Sequence, residues 1–184
     1  MGFRQEFCGL MMEMARLLKP ETYVEIGIAG GYTFSRMLNL PFIKRFVGVD
    51  LLPLPEPIRQ TKDPRIEFYQ MHSQSFAKRW RDPIDMLFID ADHRKESLTE
   101  DLLSIGDFVK FGTGIIFLHD THPIGPEWLD DDKCSNAWEV ASEAHRSPKR
   151  FWEIVTLPGP IAGLSILRKP GKHHLSWMKN DGQS

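Results

Sequence analysis

Two short polar clusters carry the residue types of acid–base or metal chemistry: Asp90-Ala91-Asp92-His93 and His119-Asp120-Thr121-His122. Each follows an apolar run of strand type, residues 84–89 and 115–118. Neighbouring strands of one sheet lie about 5 Å apart, so carboxylates at their ends repel unless a proton or a cation stands between them. Aspartate oxygens suit a hard divalent ion such as magnesium or calcium, which makes Asp90 and Asp120 the candidate metal ligands, with magnesium the ion carried forward. His93, three residues beyond Asp90, reaches the same place, and an imidazole titrating near pH ~6.5 suits a general base. A metal-free alternative stays open. In it Asp90 touches a ligand's amine, Asp120 simply ends its strand, and His93 helps start the helix that carries Leu98, Leu102 and Ile105.

A second group lies upstream. Glu25-Ile26-Gly27-Ile28-Ala29-Gly30-Gly31 is the end of a strand-type run passing into a glycine-rich turn, and Asp50 ends the next such run. Glycines at a strand-to-helix turn let the backbone approach a ligand, and a carboxylate ending the second strand can accept both hydroxyls of a ribose. Glycines alone would equally serve a tight turn. Glu25, Gly27, Gly31 and Asp50 taken together describe a nucleoside pocket. A dinucleotide would want G-x-G-x-x-G with its pyrophosphate on the helix N-terminus, and Gly27-Ile28-Ala29-Gly30-Gly31-Tyr32 lacks that spacing.

The elements that must position these residues are legible as alternating patterns. Phe3, Phe7, Leu10, Met11, Met14, Leu17 and Leu18 recur at helical spacing before Pro20, predicting an amphipathic helix over 3–18. Strand-type runs follow at 23–26, 46–49, 66–69, 84–89 and 115–118, separated by helical stretches that include 32–38 and 74–80. Such runs, with polar residues at their carboxyl ends, predict a parallel sheet covered on both faces. After a helix over 136–145, the runs 151–155 and 161–167 flank Pro158-Gly159-Pro160. So short a connection forces the last two strands to pair antiparallel. The expected fold is therefore α/β, a doubly wound Rossmann-like mixed sheet of about seven strands.

Length and composition narrow the classes. The 184 residues, 41% of them hydrophobic, suit one domain over 1–168 with a weakly ordered tail over 169–184. A net charge of -2 from 23 basic and 25 acidic side chains provides no field for a nucleic-acid backbone or an anionic membrane, so a small molecule is the expected partner. No apolar run reaches the ~18 residues a membrane span requires, and Cys8 and Cys134 show no metal or redox spacing, so a cytoplasmic protein is expected.

These residues resemble the class I S-adenosylmethionine-dependent methyltransferases, whose first motif is an acidic residue followed by G-x-G-x-G. Here Glu25, Gly27, Ala29 and Gly31 match it, with Ala29 in place of the middle glycine. The resemblance covers roughly 20–168. It implies that Gly27 and Gly31 approach the methionine part of S-adenosylmethionine, that Asp50 holds the ribose, and that Ser73 lies near the adenine. Ser73 can also cap the helix over 74–80. Asp90, His93 and Asp120 further resemble the metal-dependent O-methyltransferases of the sugar, macrolide and cephalosporin-type branch, where D-x-x-H precedes a second carboxylate. In the related catechol-type branch an Asp-Asn pair stands where this chain has Asp120-Thr121, so the third ligand is open, with His122 or Asp92 as substitutes. The implied reaction methylates a hydroxyl of a small molecule, with His93 as base. Metal-free methyl transfer and a non-catalytic cofactor-binding subunit are the alternatives. The loop over 121–133, with Trp128, can form a lid or be a solvated acidic turn anchored by that aromatic ring, and the N-terminal helix or a second subunit of a homo-oligomer could complete the acceptor pocket.

Overall fold

The central apolar runs, Thr22–Ile26, Arg45–Asp50, Met86–Ile89 and Ile115–His119, become strands buried on both faces, while the runs at the two edges of the sheet are only half-buried. The computed structural model describes residues 7–122, 135–146, 152–159 and 162–170. In chain order the elements are α1 (Cys8–Leu18), β1 (Thr22–Ile26), α2 (Tyr32–Met37), β2 (Arg45–Asp50), α3 (Glu56–Thr61), β3 (Ile66–Gln70), α4 (Ser73–Arg79) and β4 (Met86–Ile89). They continue with α5 (Lys95–Ser104), β5 (Ile115–His119), α6 (Ser135–Arg146), β6 (Glu153–Leu157) and β7 (Leu164–Arg168).

The seven strands form one sheet in the order β3-β2-β1-β4-β5-β7-β6. The first five run parallel, and β7 lies antiparallel between β5 and β6. This is the doubly wound mixed sheet expected, with its antiparallel ending. Winding reverses at β1, which has β2 on one side and β4 on the other, and a crevice opens beyond the carboxyl ends at such a switch point.

Side chains alternate between two cores. Val24, Ile26, Leu87, Ile89, Ile116 and Leu118 face Phe76, Leu98, Leu102 and Val140 of the helices α4, α5 and α6, and Trp80 just past α4. Tyr23, Phe46, Met86, Phe88, Ile115 and Phe117 face Met11, Phe34, Met37 and Ile58 of α1, α2 and α3.

Element boundaries differ modestly from the sequence pattern. The first helix is described from Cys8, and residues 1–6 of its expected span lie outside the described residues. Lys19, left-handed at φ 52°, ends it by donating its N–H to the Ala15 carbonyl before Pro20. β4 begins at Met86, because Ile84 forms a separate bridge to Val109. The last two strands are shifted toward the C-terminus, and Phe151 and Ile161 lie outside the described residues. So do Trp128 with all but the first two residues of the expected lid, and residues 171–184 of the tail. No described helix is long and apolar enough to cross a membrane.

Candidate active site

A cavity of about 620 Å3 opens over the carboxyl ends of β1, β2 and β4. It lies within the range of about 300–1,000 Å3 usual for small-molecule sites. Gly27, Asp50, Ser73 and Asp90 line it, together with Ala29, Gln74, Arg94 and Asp101.

The turn after β1 is held open by its own backbone. Gly27 adopts φ 85°, and a Cβ there would stand 2.2 Å from the Asp90 carbonyl oxygen, so only glycine lets the ends of β1 and β4 come together. Ala29 is left-handed at φ 46°, a conformation that costs a non-glycine residue about 1–2 kcal/mol. Asp50 offsets that cost: its Oδ2 accepts the N–H groups of Ile28 and Ala29 at 2.7 Å each, and its Oδ1 accepts that of Leu52 at 2.8 Å. The carboxylate expected to hold a ribose therefore also braces the turn. Oδ1, with one backbone donor among these bonds, keeps acceptor capacity toward the cavity.

Two residues of the sequence motif stand elsewhere. Glu25 is buried in the strand and accepts the Tyr23 hydroxyl at Oε2, 2.5 Å away. Gly31, left-handed at φ 76°, caps α2, and a Cβ on it would meet Ile58 Cδ1 at 2.4 Å. Neither is among the residues lining the cavity.

Ser73 is the first residue of α4 rather than its N-cap, which is His72 and makes no side-chain capping bond. The Ser73 hydroxyl instead bonds Asp101, and Gln74 Nε2 donates to Asp101 Oδ1 at 3.4 Å. The sequence pattern had left Asp101 unnoticed on an amphipathic helix.

On the far side of Asp90 the two strand-end clusters meet. His93 Nε2 lies 2.9 Å from Asp120 Oδ2 and 3.7 Å from Asp90 Oδ1. His119 Nδ1 lies 2.9 Å from Asp120 Oδ1 and 3.5 Å from Asp90 Oδ1. Asp120 is left-handed at φ 57°, which turns its carboxylate back between the two imidazoles. Burial alone would lower the His119 pKa, but the Asp120 and Asp90 carboxylates outweigh it and raise it to about 10. Burial alone would raise Asp120, and His119 and His93 instead hold it well below the usual carboxylate range.

Asp90, His119 and Asp120 each offer one donor atom, and the three atoms lie within 4.8 Å of one another, a spacing that fits one cation. His119 is the member the sequence reading overlooked. The signal was present: residues 86, 88 and 90 and residues 115, 117 and 119 share one face of the sheet, and Ile89 pairs with Leu118. Of the two substitutes, Asp92 is engaged elsewhere, whereas the buried Nδ1 of His122 has no hydrogen-bond partner among the described residues. Asp92 pairs with Arg94 and accepts the Ser97 hydroxyl, which lowers its pKa to about 2, the Arg94 bond being the largest cause. Thr121 is buried and accepts the Ser165 hydroxyl at 2.9 Å, and the His122 N–H donates to the Ala162 carbonyl, tying the strand end to β7.

Residues 24–121, which contain the glycine-rich turn, the first cluster and the second as far as Thr121, match the family described as methyltransferase domain. The chain belongs to that family. This methyltransferase is thus an enzyme by descent, and its sheet order is that of the class I S-adenosylmethionine-dependent fold. No curated protein matches it in sequence. Among solved structures it is similar to the S-adenosylhomocysteine-bound methyltransferase PaMTH1 of Podospora anserina, with a TM-score of 0.71 and 18% identity over 92% of this chain and 80% of that one. It is similar to the O-methyltransferase TomG of Streptomyces achromogenes, solved with S-adenosylmethionine, with a TM-score of 0.63 and 16% identity over 89% and 79%. The N-methyltransferase NodS of Bradyrhizobium japonicum WM9 gives 0.65 and 14% over 91% and 97%. Both oxygen and nitrogen acceptors occur on this fold, so the methyltransferase's acceptor must be argued from its own side chains.

Proposed function

We propose that the methyltransferase transfers the methyl group of S-adenosylmethionine to a hydroxyl of a small molecule of sugar or natural-product type. The observation that carries this reading is Asp90, which belongs both to the wall of the cavity and to the Asp/His cluster, so that a donor in one and an acceptor at the other would adjoin. TomG, an O-methyltransferase involved in tomaymycin synthesis, supports an acceptor of natural-product type.

In this reading the turn from Gly27 to Ala29 receives the methionine part, Asp50 accepts ribose hydroxyls, and Ser73 and Gln74 border the base. His93 takes the acceptor's hydroxyl proton at Nδ1, because Nε2 faces Asp120 Oδ2 at 2.9 Å and donates to it, and Asp120 thereby orients the ring and stabilises the imidazolium. The oxygen attacks the sulfonium methyl in line, the carbon–sulfur bond breaks, and its electron pair stays on sulfur as a neutral thioether. Orientation supplies much of the rate. Asp90, His119 and Asp120 would hold a divalent cation, whose contribution is to lower the hydroxyl pKa and fix adjacent acceptor oxygens. An imidazole beside two carboxylates suits manganese as well as the magnesium expected from carboxylates alone.

The short His93 and His119 contacts favour a second reading without metal, since two imidazoles can balance two carboxylates. Calorimetric titration with S-adenosylmethionine and S-adenosylhomocysteine, with and without magnesium or manganese, tests both. Binding of S-adenosylmethionine that Asp50→Ala abolishes is expected, and no binding by the intact protein overturns the proposal. Catalysis that persists in chelator and in an Asp90→Ala/Asp120→Ala variant would leave only the metal-free form.

A further inference from the structure

Asp101 has no part in the chemistry above, yet it occupies a costly position. Its side chain belongs to the cavity wall beside Ser73 and Gln74, and the residue is only 1% exposed. Burial pushes its pKa up to about 6; the Ser73 bond opposes this, and the charges of Glu100 and Asp92 add to it. Arg94, a cation of the same wall, pairs with Asp92. A desolvated carboxylate lining a cavity points to a role in that cavity.

The role follows from what Asp101 contacts. An ionised carboxylate only accepts hydrogen bonds, so an amide beside it must turn its NH2 toward it and its carbonyl away. Gln74 does so, with Nε2 3.4 Å from Asp101 Oδ1. Its Oε1 is then the end left to a ligand, and Asp101 decides that this end is an acceptor. The Ser73 hydroxyl, drawn to the same carboxylate, leaves its own lone pairs on the other side.

We propose that Asp101 is a positioning residue that locks the Gln74 amide so that Oε1 receives the exocyclic amine of the cofactor's purine, selecting adenine over a 6-oxo purine. This rests on the nucleoside-cofactor reading of the cavity. A 6-oxo purine would set an oxygen against Oε1, leaving two acceptors facing each other, and sites built on one hydrogen bond discriminate strongly against such analogues.

The test compares S-adenosylhomocysteine with S-inosylhomocysteine by calorimetry at pH 8, where Asp101 is ionised. The native protein is expected to prefer the adenosyl compound by at least about tenfold, a difference of about 1.4 kcal/mol. Asp101→Leu, or Asp101→Ala if the leucine does not pack, should bring that preference within about threefold. Gln74→Leu should do the same, and the double variant no more, because both act through one bond. Asp101→Asn, which retains an acceptor oxygen, should restore most of the preference. A folded Asp101→Ala that keeps the full preference reduces Asp101 to a structural role and overturns the proposal, as does a Gln74→Leu that keeps it. Equal binding of the two compounds by the native protein also overturns it while leaving the cofactor reading intact; binding of neither removes that reading as well.

Discussion

His119 and Asp90 face one another across the β4–β5 boundary, with His119 Nδ1 3.5 Å from Asp90 Oδ1 and 2.9 Å from Asp120 Oδ1. The pairing follows from sheet geometry, because both residues lie one position beyond the registered pair Ile89 and Leu118 on the same face. If these three residues share a cation, His119→Ala should weaken manganese binding by about tenfold or more, read from the free-ion signal in electron paramagnetic resonance. Unchanged manganese affinity in a folded variant takes His119 out of the ligand set.

His93 carries a different expectation. As a base it contributes to the methyl-transfer step and little to cofactor binding, so His93→Gln should lower kcat by about 10²–10⁴ while S-adenosylhomocysteine affinity stays within about twofold. A matched loss of affinity would instead point to a packing role.

Gly27 and Gly31 should not be equivalent. Alanine at 27 drives a Cβ into the Asp90 carbonyl, which is backbone and cannot step aside, whereas alanine at 31 meets the end of the Ile58 side chain. Both pay the left-handed penalty of about 1–2 kcal/mol. Gly27→Ala should therefore destabilise the fold more in urea unfolding and also lose cofactor affinity. Gly31→Ala should cost mainly stability.

Asp50→Ala removes the acceptor for three backbone N–H groups, those of Ile28, Ala29 and Leu52. The turn is partly exposed, so water replaces some of the loss, and the expected cost is about 2–3 kcal/mol, or roughly 5–10 °C in Tm. A variant with unchanged Tm that still fails to bind S-adenosylhomocysteine would assign Asp50 to the ligand alone.

Asp101 predicts a pH dependence with an uncommon sign. Its folded pKa of about 6 lies above the ordinary 3.8, chiefly through burial, so the folded state prefers the protonated form. Its penalty on stability is full above pH 6, shrinks as pH falls from 6 toward 3.8, and is absent below that. The shift of roughly two units corresponds to about 3 kcal/mol. Asp101→Asn should be more stable than the native protein in urea at pH 8, and the gap should narrow at pH 5. An equal gap at both pH values contradicts the assignment.

Much of the fold was legible because strand burial writes a local signature. Runs such as Phe46-Val47-Gly48-Val49 and Ile115-Ile116-Phe117-Leu118 read as strands covered on both faces, and Asp50, Asp90 and Asp120 stood out as polar residues at their carboxyl ends. The short link after β6 forced an antiparallel pair. That β7 inserts between β5 and β6 was not legible, since it depends on contacts such as Ser165 with Thr121 and Thr156 that join distant segments.

The chain's own order of residues thus determined the glycine-rich turn, the acidic strand ends and the family to which they belong, because spacing within one strand–turn–helix unit is a local property. Tertiary structure alone decided which partners each carboxylate finds. Glu25, expected at the cofactor, is buried and accepts the hydroxyl of Tyr23, two residues away on the same face. His119 looked like the end of a strand, and Asp101 like one polar residue on a helix, until β4 met β5 and α5 met α4. Burial and the partner a side chain finds across the sheet set its charge and orientation, and neither is encoded by neighbours in sequence.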